Sequence, residues 1–145
     1  EIVTGDWSSD VCSSDLCGSG DTLDHCCGPL HRGERKAATA EALMRSRYSA
    51  YALGKLDYLI ATHPMPSEAP AQRRRELKQS CRDSRWRGLK VLSTEAGTAD
   101  DLEGTVRFEA VFSAGGQRFV HRETSLFQRR NGDPEGDWLY IRALD

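Results

Sequence analysis

The stretch Val106-Arg107-Phe108-Glu109-Ala110-Val111-Phe112, followed by Gly115-Gly116 and then Phe119-Val120-His121-Arg122-Glu123-Thr124-Ser125-Leu126-Phe127, decides the fold. Val106, Phe108, Ala110 and Phe112 recur at every second position, the period of a strand with one buried face. Gly115-Gly116 is a hairpin signal, since a two-residue turn of the right twist needs positive φ. Beyond it, Phe119, His121, Glu123, Ser125 and Phe127 share one face of a second strand. Val120, Arg122, Thr124 and Leu126 take the other.

Working outward, Leu89 and Val91 alternate in an earlier strand that starts at Trp86. Asn131-Gly132 marks a further turn. In a last strand Trp138, Tyr140 and Arg142 oppose Leu139 and Ile141. Upstream the period lengthens. Thr39 is a helix N-cap with Glu41 in the first turn. That helix is expected to run to about Leu53, where Gly54 stops it. Met44, Tyr48, Tyr51 and Ala52 share one of its faces. A second short helix covers Leu56–Thr62, with Leu56, Leu59, Ile60 and His63 at helical spacing, and Pro64 and Pro66 end it. A third, weakly amphipathic helix covers Ala71–Gln79. Helices followed by an antiparallel meander define an α+β protein, with the sheet curled around the first helix.

The chain has 145 residues, enough for one ordinary domain with a small appendage. Its 38% hydrophobic and 29% charged residues fit a globular protein. A net charge of −2 gives no global pull toward nucleic acid or anionic lipid. No apolar run approaches the roughly 18 residues of a membrane span, and no secretory signal pattern is visible. The expectation is a cytoplasmic protein without membrane contact.

Residues 1–16 read differently. Glu1, Asp6, Asp10 and Asp15 stand there without any Lys or Arg, beside the crude repeat Ser8-Ser9-Asp10-Val11, Ser13-Ser14-Asp15-Leu16. This composition predicts disorder. The segment resembles a translated sequencing-adapter fragment, and is expected to be a non-native replacement of the original start. Residues 17–38 form a cysteine knuckle with its connector, and residues 39–145 the α+β domain.

The five cysteines are Cys12, Cys17, Cys26, Cys27 and Cys81. Their odd number and the clustering of four disfavour a disulfide framework, and favour a metal site or free thiols. Cys17-Gly18-Ser19-Gly20 makes a tight turn whose glycines let backbone N–H groups approach a thiolate. Adjacent Cys26 and Cys27 can then help complete a tetrahedral cage.

This pattern resembles the SEC-C motif, a Cys-x-Cys-Gly-Ser-Gly turn followed by Cys-Cys or Cys-His. The block Thr39-Ala40-Glu41-Ala42-Leu43-Met44-Arg45-Ser46-Arg47-Tyr48-Ser49-Ala50-Tyr51 is similar to the one that follows it in YchJ-like bacterial proteins. The resemblance covers most of residues 17–145. It implies a zinc knuckle held by Cys17, Cys26 and Cys27, and a cone-shaped domain like nuclear transport factor 2 (NTF2-like). Asp15 stands where the motif has its first cysteine, so the ligand set is incomplete here. Cys12, His25 or Asp15 are the alternatives for a fourth ligand. SEC-C motifs are named for the preprotein translocase ATPase, where they contact a chaperone and the ribosome. The resemblance therefore implies a non-enzymatic, zinc-stabilised module that presents its knuckle to a protein partner.

Two other readings compete. The cone leaves a pocket between its helices and the concave sheet face, for which Tyr48, Tyr51, His63, His121, Glu123, Ser125 and Tyr140 are the candidates. Phenols, an imidazole and a carboxylate could move a proton there, or Glu123 could simply pair with a buried Arg45 or Arg47. No phosphate loop, HExxH or nucleophile elbow is present. A deep polar pocket lined by Glu123 and a tyrosine would favour a small-molecule binder or enzyme; a filled cone would favour the module. The third reading rests on residues 73–90, where eight basic side chains face Glu76 and Asp83, net +6. Such a patch could meet RNA or the ribosome, with Trp86 stacking on a base. Cys81 sits within it, either activated by the arginines or buried and inert. Val120, Leu126, Leu139 and Ile141 on the outer sheet face would allow a homodimer.

Overall fold

The computed structural model describes residues 30–33, 36–64 and 69–144. Among the described residues, helices α1 (Ala40–Leu53), α2 (Leu56–Ala61) and α3 (Pro70–Asp83) precede strands β1 (Arg85–Ala96), β2 (Glu103–Ala114), β3 (Gln117–Arg129) and β4 (Trp138–Ala143). The strands form one antiparallel sheet in the order β1-β2-β3-β4. The α+β reading of the sequence is therefore the observed architecture.

The helix signals act as expected. The Thr39 hydroxyl accepts from the Ala42 N–H at 3.0 Å, and Gly54 ends α1 in the left-handed region at φ 75°. The third helix is longer than its apolar spacing suggested, because propensity and tertiary contact carry it on to Asp83. The β2–β3 hairpin turns on Gly115 and Gly116, with φ of 57° and 79°, between the paired residues Ala114 and Gln117.

Cross-strand register sets the inner face. Val106, Phe108, Ala110 and Phe112 of β2 lie opposite Ser125, Glu123, His121 and Phe119 of β3. Trp86, Leu89 and Val91 of β1 lie opposite Phe112, Ala110 and Phe108. Helix α1 packs Leu43, Met44 and Tyr48 onto this face, with Val106, Phe127 and Trp138 fully enclosed. Each such large apolar side chain contributes roughly 1.5–3 kcal/mol on burial.

β4 departs from strict alternation. A bulge between Leu126 and Phe127 leaves Tyr140 opposite Phe127 but puts Arg142 opposite Leu126. Arg142 therefore belongs to the outer face, rather than to the face of Trp138 and Tyr140. On that outer face Val120 is 53% exposed, Leu126 and Ile141 are half-buried, and Leu139 is buried.

Candidate functional site

A cavity of about 330 Å³ opens between α1, α3 and the concave sheet face. Its volume lies at the lower end of the range of small-molecule sites. α1 contributes Met44, Arg47, Tyr48 and Tyr51. These positions follow i, i+3, i+4, i+7 spacing, so one helix face supplies them all. The strands contribute Trp86, the aromatic rings of Phe108, Phe112 and Phe127, and the polar group His121, Glu123, Ser125 and Tyr140. Ala110 of β2, with Ser80 and Ser84 at the end of α3, completes the lining.

Six of the seven pocket residues expected from the sequence line this cavity. His63 does not. It stands behind Tyr140, its ring centroid 4.7 Å from the phenol ring, and its Nδ1–H donates to the Tyr140 carbonyl at 2.9 Å. The Tyr140 N–H donates to the Thr62 carbonyl at 2.8 Å. The segment that ends α2 thus ties down the edge strand and fixes Tyr140 in place. Burial, then the nearby Arg47 and Arg73 guanidiniums, push the His63 pKa below its ordinary value, against the pull of its carbonyl bond.

Glu123 is the hub of the polar group. Its Oε2 accepts from the Tyr140 hydroxyl at 2.7 Å and the Ser125 hydroxyl at 2.6 Å, and its Oε1 accepts from His121 Nε2–H at 3.0 Å. The Glu123 side chain is 13% exposed. Its partners are these three, and not the buried arginine that the sequence offered as an alternative. Arg45 pairs instead with Glu41 at 3.0 Å, one helical turn away. Burial raises the Tyr140 pKa well above the ordinary tyrosine value, and the hydrogen bond and charge of Glu123 add to the rise.

The sequence analysis offered Arg47 only as a buried partner of Glu123, and the structure makes it a lining residue of the cavity instead. It is 7% exposed. Its Nη1 donates to the Leu59 carbonyl at 3.0 Å and the Thr62 hydroxyl at 2.7 Å. Its guanidinium carbon lies 5.0 Å from the Tyr140 ring centre and 5.9 Å from that of Tyr51. Among the described residues, no carboxylate pairs with it. Desolvation lowers its pKa, partly offset by the surrounding tyrosines. The available signal was a lone charge on an otherwise aromatic helix face.

Trp86 points its ring inward, 4.9 Å from Phe112 and 5.8 Å from Tyr48. Its indole N–H is buried, with no hydrogen-bond partner among the described residues. The ring expected to stack on a base is engaged in the cavity wall instead. In the basic stretch, Arg73 is buried on the His63 carbonyl at 2.6 Å and Arg74 pairs with Asp57. Cys81 is half-buried, and desolvation raises its thiol pKa, the direction opposite to activation. The expected zinc ligands Cys17, Cys26 and Cys27 lie outside the described residues, as do Cys12, Asp15 and His25. No described helix is long and apolar enough to cross a membrane.

Helices laid over a four-stranded antiparallel sheet, with an aromatic-walled pocket between them, define an NTF2-like cone protein. The family model for the middle NTF2-like domain of YchJ matches residues 39–143, and the chain belongs to that family. It is 44% identical over 129 residues to a UPF0225 protein of Chromobacterium violaceum, across 88% of this chain and 90% of that one. A UPF0225 protein of Vibrio parahaemolyticus is 40% identical over 131 residues, covering 90% and 74%. Two solved structures share the fold. The solution structure of a SEC-C motif containing protein from Rhodopseudomonas palustris matches with a TM-score of 0.71 at 37% identity, over 87% of this chain and 93% of that one. The crystal structure of a SEC-C motif containing protein from Psychrobacter arcticus matches with a TM-score of 0.69 at 25% identity, over 94% and 82%.

Proposed function

We propose that this chain is a small-molecule-binding protein whose ligand occupies the cone cavity. The observation that carries this reading is the cavity itself, about 330 Å³ of space walled by aromatic rings and by a hydrogen-bonded Glu123–Tyr140 pair. Rings bury an apolar ligand body while a few fixed polar groups orient it. Glu123, held by three donors, is a fixed polar group that can orient such a ligand.

The test is a set of one- and two-ring compounds screened against the full chain by saturation-transfer NMR, in parallel with a Ser80→Trp variant. Ser80 is exposed and lines the cavity, so an indole there plugs the site at little cost in stability. Compounds that bind the wild type and not Ser80→Trp support the reading. Binding that survives the plug, or no binding at all, refutes it.

A second reading concerns the N-terminal knuckle, and the SEC-C motif named for both solved relatives favours it. In this reading Cys17, Cys26 and Cys27 hold zinc and present a small rigid surface to a protein partner. Thiolates are the right donors for zinc, and three of them form a weaker site than four. Metal analysis of the purified chain beside an Asp15→Cys variant tests this. Zinc should be substoichiometric in the first and rise toward one per chain in the second, and no zinc in either refutes it.

A further inference from the structure

We infer that Arg47 is an anion-recognition residue and that the ligand of the cone cavity is an organic carboxylic acid with an aromatic body. This rests on the proposed binding role of the cavity and names the class of molecule it takes.

Three observations converge. The first is the state of Arg47. The guanidinium is buried, lines the cavity, and among the described residues donates only through Nη1. An arginine carries five N–H donors in a planar fork and stays charged in proteins. Among the described residues its remaining donors have no acceptor and its charge has no carboxylate. A carboxylate entering the cavity supplies both at once, in the bidentate geometry that the fork favours.

The second observation concerns the other charge in the cavity. Glu123 already receives three hydrogen bonds, so it does not call for a cationic ligand. Tyr140 stands between the two charges, its ring against Arg47 and its hydroxyl on Glu123. The unmet electrostatic demand of the site is therefore for negative charge. The third observation is the wall. Tyr51, Trp86, Phe108 and Phe112 surround the remaining space, and their rings suit a flat apolar body. A volume of about 330 Å³ holds one or two rings with a short acidic arm.

The experiment compares 3-phenylpropionate with 3-phenylpropionamide, which share shape and differ in charge. Each is titrated into the full wild-type chain by calorimetry, then into Arg47→Lys and Ser80→Trp. The acid should bind about 10- to 100-fold more tightly than the amide, the ratio expected when a hydrogen-bonded charge is matched. Arg47→Lys, which keeps the charge but loses the fork, should reduce that preference about tenfold. Equal binding of acid and amide, both abolished by Ser80→Trp, would leave the cavity as a binding site and overturn the anion inference. Acid binding that survives the plug, or binding of neither probe, overturns both. The wild-type comparison needs no variant, so a misfolded Arg47→Lys does not rescue the inference.

Discussion

The hydrogen bond between Tyr140 and Glu123 should be measurable as a coupling energy. Tyr140→Phe removes one O–H donor, 2.7 Å from Glu123 Oε2, and leaves the ring against Arg47. A hydrogen bond to a charged group contributes about 1.5–3 kcal/mol. Ser125 and His121 continue to satisfy the carboxylate, so the loss should fall at the low end, about 1.5 kcal/mol. Glu123→Gln keeps the shape but replaces one of the two acceptor oxygens by an NH2 donor, so one side of the network is lost and the bonds that remain become neutral, for about 2–3 kcal/mol in total. In the double variant the shared bond is lost only once. The coupling should therefore be about 1–1.5 kcal/mol, well above the few tenths seen between independent sites. Urea unfolding followed by tryptophan fluorescence measures it, since Trp138 is fully enclosed in the folded chain. The same cycle has a pH signature. The folded chain holds the Tyr140 proton more tightly than the unfolded one, whose tyrosine titrates near its ordinary value of 10.0. That stability is fully present below pH 10 and is lost as pH rises above it. Tyr140→Phe should abolish this alkaline loss. Additive single variants, or an alkaline slope unchanged by Tyr140→Phe, would refute the pairing.

Two further outcomes follow from the frame around the site. The depressed pKa of His63 means that the unfolded chain binds that proton first, so stability is complete above pH 6.5 and declines as pH falls below it. His63→Gln should flatten this slope in urea titrations between about pH 7 and pH 5, and an unchanged slope would assign the acid sensitivity elsewhere. Gly104 pairs with Ala96 where β1 and β2 meet, and a Cβ there would lie 2.4 Å from the Gly97 backbone. The Gly97 carbonyl receives the first N–H of α1, from Ala40 at 2.9 Å. Gly104→Ala should therefore cost about 1–3 kcal/mol in thermal unfolding, and a neutral result would show that this corner yields.

The inner sheet face was legible because alternation and a two-glycine turn are local signals, and hairpin geometry fixes the pairing of β2 with β3. His121, Glu123 and Ser125 follow directly from that, as neighbours at a spacing of two. That Tyr140 reaches Glu123 depends on the register of β4, and a bulge sets that register. The bulge has no glycine or proline to announce it, which is why Arg142 was assigned to the wrong face. Ser80 and Ser84 reach the cavity through the packing of α3, whose own sequence has almost no apolar period. Arg47 was read as a partner of Glu123 and not as a pocket residue for another reason. A helix-face reading counts apolar side chains, and the informative residue was the one that broke the pattern.

That break has an energetic meaning which can be tested on the protein without ligand. Arg47 is held by a carbonyl and a hydroxyl near the C-terminal end of α2 and by two tyrosine rings. These supply partial negative charge but no full one. A buried charge that has lost its partner destabilises a protein by about 3–5 kcal/mol, and well-packed apolar replacements of buried ionic groups are often neutral or stabilising. Methionine has a similar reach and packs against the same rings without desolvating a charge. Arg47→Met should therefore leave the unliganded stability unchanged or higher while removing the preference for 3-phenylpropionate over its amide. A fold retains such a charge at a cost when its site uses it, the trade expected of a binding residue. If Arg47→Met instead lowers stability by more than about 2 kcal/mol, the bonds to Leu59 and Thr62 outweigh the desolvation, and Arg47 is a structural strut between α1 and α2.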